Sequence, residues 1–106
     1  MEMGKEAITI TREKTKEGAG FTIKGRLDSV SADMLQLKLE EVLKEGQTNI
    51  ALNMSQVEYL CSNGIRVLLK VYKNAKTKGG LLKIMQPSES VRKVLAITAL
   101  DGILTQ

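Results

Sequence analysis

Cys61-Ser62-Asn63-Gly64 is the stretch where residue types and spacing most invite chemistry. A thiol, a hydroxyl and a carboxamide stand directly before what reads as a helix. Apolar residues recur at Ile65, Leu68, Leu69, Tyr72 and Ala75, a helical spacing. A thiol at a helix beginning sits where the dipole favours the thiolate. Nucleophilic catalysis also needs a positioned base, and the chain has no histidine, so the usual Cys-His pair cannot form. The commonest metal ligand is missing for the same reason. A buried, inert Cys61 is the plainer reading. Ser62 or Asn63 is the expected N-cap, its side-chain oxygen accepting from a first-turn amide. Gly64 leaves bare backbone near the positive end of the helix, where a partner can approach. Its other reading is a tight backbone contact.

Other constellations are weaker. Gly18-Ala19-Gly20 looks like part of a dinucleotide loop but precedes a strand, and no P-loop lysine follows any glycine run. Clustered Asp, Glu or Cys at metal spacing is absent. Met3, Met34, Met54 and Met85 read as core filler. Tyr59 and Tyr72 read as half-buried packing, with surface contact as the alternative. The expectation is therefore no catalytic residue, no metal and no cofactor: a binding protein, not an enzyme.

Composition agrees with a single domain spanning 1–106. One cysteine cannot form an internal bridge, which fits a reducing cytoplasm. Met1-Glu2-Met3-Gly4-Lys5-Glu6 lacks the apolar core of a signal peptide, and no apolar run reaches membrane-spanning length, so no membrane partner is expected. The net charge of +4 is uneven. Met1 to Asn53 holds 8 basic and 9 acidic residues; Met54 to Gln106 holds 8 basic and 3 acidic. Five of those basic residues lie between Arg66 and Lys78. A basic helix suits nucleic acid, an acidic partner or plain solvent. One Phe, two Tyr and no Trp leave little for base stacking, so nucleic acid is not the expected partner.

These residues need elements to hold them. Ala7 to Thr11 alternates as a strand, Arg12 to Gly20 reads as a charged hairpin loop, and Phe21 to Gly25 returns as the antiparallel partner. Leu27 goes back to the core and Asp28-Ser29 breaks the strand. A first helix is predicted from an N-cap near Ser31, with Asp33 in its first turn. Leu35, Leu39, Val42 and Leu43 form its buried stripe, and Gly46 ends it. Ile50 to Met54 is the third strand and Ser55 to Leu60 a polar corner. The second helix runs from about Asn63 to Lys78 and stops at Gly79-Gly80. Leu81 to Met85 is a fourth strand. Ser88 or Ser90 caps a third helix with Val91, Val94 and Leu95 inward. Leu100, Ile103 and Leu104 belong to a last element of open type. Alternating strands and helices predict an α/β fold. It is a single-layer mixed sheet of about four to five strands with an antiparallel N-terminal hairpin, a parallel centre and helices mainly on one face.

Gly25-Arg26-Leu27-Asp28, Leu52-Asn53-Met54-Ser55, the Cys61-to-Gly64 corner, Val67-Leu68-Leu69, Gly79-Gly80, Leu95 and Leu100-Asp101 fall in a familiar order. Together, from about Ile8 to Leu104, they resemble the STAS domain, and within it the small bacterial anti-sigma factor antagonists. The resemblance implies a binding switch. Such proteins dock on a serine-kinase anti-sigma factor of the GHKL type and release a sigma factor. Phosphorylation of a serine in an Asp-Ser-Ser-Gly corner undoes the complex, because a phosphate adds negative charge at the contact. By this match the partner-binding residues are Asp28, Cys61, Ser62, Asn63, Gly64, Ile65 and Arg66. This chain departs at the corner: Asn63 occupies the acceptor position and Cys61 the aspartate position, leaving Ser62 as the remaining phosphoacceptor candidate. Asp28 also reads as a simple turn former, and Arg66 and Lys70 as solvated charges. The other functional reading is a STAS subunit that senses a ligand or scaffolds a signalling or transport assembly. A monomer or weak dimer is expected.

Overall fold

The computed structural model describes residues 8–15 and 18–105. Eight elements follow in order: β1 (Ile8–Lys14), β2 (Ala19–Leu27), α1 (Ser29–Lys44), β3 (Asn49–Leu60), α2 (Ser62–Thr77), β4 (Leu81–Met85), α3 (Glu89–Ile97) and α4 (Asp101–Leu104). The strands form one sheet in sequential order, with β1 antiparallel to β2 and the other neighbours parallel. This is the mixed α/β sheet the sequence predicts, with four strands among the described residues. α1 and α2 each connect neighbouring parallel strands in the same direction across the sheet and pack against each other, which places both on one face. Phe21, Ile23, Ile50, Leu52, Met54, Leu82 and Ile84 are buried beneath them. On the other face Thr22, Ala51 and Lys83 stay only partly covered.

Two expectations fail along the strands, for different reasons. The hairpin loop expected over Arg12–Gly20 is largely strand: Arg12 pairs with Phe21, Glu13 with Gly20 and Lys14 with Ala19. β1 is an edge strand, so polar residues cost it little, and Arg12 bridges to Glu45 at 2.8 Å beyond the end of α1. Met3 and Ala7 lie outside the described residues. The third strand does not stop at Met54 but continues to Leu60. Its pairing with β2 slips twice, between Thr22 and Lys24 and between Gly25 and Arg26, and Gly25 takes φ 110 at the second slip. Each slip breaks the alternation. Buried positions run Ile50, Leu52, Met54, then Val57 and Leu60, and a period of three hides the strand from a period-two reading.

Elsewhere the patterning holds. Leu35, Leu39, Val42 and Leu43 are buried. Gly46 and Gly79 take the left-handed backbone that ends α1 and α2. Ser88 caps α3, with Val91 and Leu95 fully buried, and the last element is one helical turn anchored by Leu104. On α2 the buried row is Gly64, Val67, Leu68, Val71 and Ala75; Ile65, Leu69 and Tyr72 are half-buried at its edge. Met54 is core, whereas Met34 and Met85 are exposed. Tyr59 is also more exposed than expected, its ring stacked under the Arg26 guanidinium at 4.5 Å.

Candidate functional site

The ends of β2 and β3 lie side by side, and each turns directly into a helix. Leu27 pairs with Leu60, and the Cys61 amide donates to the Leu27 carbonyl at 3.0 Å. This is the carboxyl end of the parallel strands, where open α/β sheets commonly place their binding surfaces.

At the first corner Asp28, not Ser31, is the N-cap. The Ser31 amide donates to the Asp28 carboxylate at 3.0 Å, and the Asp28 amide donates to Ser31 Oγ at the same distance. The buried Ser31 hydroxyl also donates to the Arg26 carbonyl at 2.7 Å. The reciprocal pair is a capping box with serine in the place usual for glutamate. Bonds from the Ser31 amide and hydroxyl hold the Asp28 carboxyl below the usual carboxylate range. Because the helix starts at Ser29, Asp33 falls beyond the first turn, which holds no acidic residue.

At the second corner Cys61 is the N-cap, and neither Ser62 nor Asn63 fills that place. Its Sγ accepts from the Gly64 amide at 3.4 Å, a contact with a weak acceptor. Cys61 is half-buried. Ser62 is exposed, and its hydroxyl faces solvent without a hydrogen-bond partner among the described residues. The Asn63 amide nitrogen donates to the Ser29 carbonyl and to the Asp33 carboxylate, both at 3.4 Å. Its side-chain oxygen accepts from the Arg66 guanidinium.

Gly64 corrects an expectation. It is buried, so it offers no open backbone. A Cβ there would meet Leu60 Cδ1 at 2.7 Å and Leu27 at 3.7 Å, so the tight-contact reading of this glycine is the right one. The exposed surface of the corner therefore comes from Ser62 and Arg66, with Cys61, Asn63 and Ile65 half-covered and Asp28 alongside. Sequence reasoning missed Ser29, Ser31 and Asp33 as members. Ser29 reads as part of a strand break and Ser31 as a helix cap, and Asp33 meets Asn63 only through the packing of α1 on α2. Among the described residues no group of three or more acidic or cysteine side chains could hold a metal, and no helix is long and apolar enough to cross a membrane.

The STAS domain model matches residues 10–105. The anti-sigma-B factor antagonist of Bacillus subtilis is 28% identical over 97 residues, covering 92% of this chain and 88% of that protein. A Thermotoga neapolitana homologue of TM1081 is 35% identical over 65 residues, 61% of this chain. That match spans 58% of the relative's length. Among solved structures, the anti-sigma factor antagonist SpoIIAA in its unphosphorylated form superposes with a TM-score of 0.81 at 22% identity, over 92% of this chain and 86% of that one. This last likeness is one of fold. With the strand order, the two adjacent helix starts and the matched span together, the chain belongs to the STAS domain family.

Proposed function

We propose that this protein is an anti-sigma factor antagonist that acts by docking and lacks the usual phosphorylation switch. Its partner is a kinase-type anti-sigma factor of the cytoplasm, and occupancy of that partner frees a sigma factor. The contact is made by Ser62, Asn63 and Arg66, with Asp28, Cys61 and Ile65 at its margin and Gly64 as a spacer beneath it. One observation carries this reading. At the position where the resemblance puts the acceptor serine, Asn63 has a carboxamide that meets Arg66 on one side and Ser29 with Asp33 on the other. A carboxamide has no hydroxyl to accept a phosphoryl group, so the charge of the contact surface stays fixed.

A second reading has an observation of its own. The exposed Ser62 hydroxyl is unencumbered, and it would present a phosphate at the positive end of α2. The two readings part on one experiment. The purified protein is titrated with each of the host's kinase-type anti-sigma factors, before and after incubation with ATP. Docking without a switch predicts equal affinity in both titrations, and at least about tenfold weaker binding for Ser62→Trp with an unchanged melting temperature. ATP-dependent release, with phosphate mapped to Ser62, supports the second reading. Binding that Ser62→Trp leaves untouched removes the corner from the contact.

A further inference from the structure

The outer side of the helical layer carries two rows that neither the core nor the corner uses. On α1, Val30, Met34 and Leu37 follow one another at helical spacing, opposite the buried stripe, with 72%, 47% and 70% of their surfaces exposed. On α2, Arg66, Lys70 and Lys73 repeat that spacing, exposed and opposite Val67, Val71 and Ala75. From Ser62 to Thr77 this helix has no acidic residue. Neither Lys70 nor Lys73 takes part in an ion pair among the described residues. The helices pack against each other, and the Asn63 bonds to Ser29 and Asp33 join their starts. Both rows therefore begin at the corner and run along one surface. Single exposed apolar side chains are ordinary. Three in register, beside a cationic row that makes no ion pair among the described residues, make a two-part surface.

We infer that this layer extends the docking surface, and that its occupant is an acidic amphipathic helix of the anti-sigma factor. The partner's apolar stripe covers Val30, Met34 and Leu37, and its carboxylates lie over Arg66, Lys70 and Lys73. The inference rests on the docking role proposed above and adds the chemistry of the partner. Charge complementarity selects an acidic occupant, and anchors repeating every three to four residues are the mark of a helix laid along helices. Apolar and basic rows also suit an anionic bilayer. Against that, three apolar side chains offer little area to bury in a bilayer. The chain also has no tryptophan to anchor at an interface.

The test titrates a purified kinase-type anti-sigma factor with the native protein, Leu37→Asp, the double variant Lys70→Glu/Lys73→Glu, and Ser62→Trp. All four substituted positions are on the surface, and melting temperatures confirm folding. The inference predicts at least about tenfold weaker binding for each row variant. It also predicts a shallower salt dependence for the double variant, and recovery when lysines replace carboxylates on the partner's helix. Full affinity in both row variants, with loss only in Ser62→Trp, overturns the inference and leaves the corner standing. Full affinity in all three, or no binding by the native protein, overturns the docking role as well. Sedimentation with phosphatidylglycerol–phosphatidylcholine vesicles, abolished in the double variant, would overturn it in favour of a membrane.

Discussion

Two helices begin a few ångströms apart in this protein, and they are held in opposite ways. At the start of α1, Asp28 and Ser31 satisfy each other reciprocally, and a buried hydroxyl adds a third bond to the Arg26 carbonyl. At the start of α2 the cap is one long contact to sulfur, and the side chains after it point to solvent or to the neighbouring helix. Both corners end parallel strands of one sheet, so the sheet alone does not account for the contrast. The difference lies in the residues: an oxyanion with a serine three places on in one case, a thiol with a glycine three places on in the other. The first corner is closed by bonds among its own residues, and at the second the exposed Ser62 hydroxyl is left without a partner among the described residues.

The largest expected effect separates what lies under the second corner from what lies on it. Gly64→Leu should cost about 1–3 kcal/mol, because the added side chain must displace Leu60 in a filled interior. Ser62→Trp, two residues away and exposed, should stay within about 0.5 kcal/mol of the native protein. Urea midpoints measure both, and equal losses would erase the distinction between spacer and surface. A smaller effect tests the cap itself. Cys61→Asp restores an oxygen acceptor and should stabilise by about 1 kcal/mol, raising the melting temperature by about 4–8 °C. A lower melting temperature would mean that sulfur is already the better cap. Asp28→Ala should lower the melting temperature more than Cys61→Ala does.

The smallest effect is in the pH dependence. The Asp28 carboxyl is held below its ordinary range by the Ser31 amide and hydroxyl, and that of Glu45 by Arg12. A carboxyl whose folded pKa is depressed stabilises the fold above its unfolded pKa and loses that contribution as pH falls through the folded value. Native stability should therefore fall with acidification below the ordinary carboxylate range. Asp28→Asn should flatten that limb, while Cys61→Ala should leave it unchanged. An unchanged limb in Asp28→Asn would show that the capping box is not coupled to protonation.

What was legible in the sequence follows the same division. Helix stripes such as Leu35–Leu39–Val42 and the glycines ending α1 and α2 are local signals, and they could be read directly. The extension of β3 to Leu60 could not, because its register slips depend on the partner strand and move the buried positions off a two-residue period. The caps were misplaced because side chains favourable for capping occur in runs (Asp28-Ser29 with Ser31, Cys61-Ser62-Asn63), and only the backbone angles choose among them. Gly64 shows how a local reading can reverse. From the sequence it offered open backbone; in the fold Leu60 and Leu27 close over it. The link from Asn63 to Asp33 spans 30 residues and exists only once α1 and α2 are packed together. The resemblance singles out the corner, and the packing decides which of its residues are exposed.

The most direct test of a fixed, switch-free docking corner is the affinity of Asn63→Ser and of the native protein for the same kinase-type anti-sigma factor, each measured with and without ATP. The account predicts that the native protein holds its partner equally well in both conditions, while Asn63→Ser takes up phosphate at residue 63 and lets go. Release of the native protein on addition of ATP would contradict it.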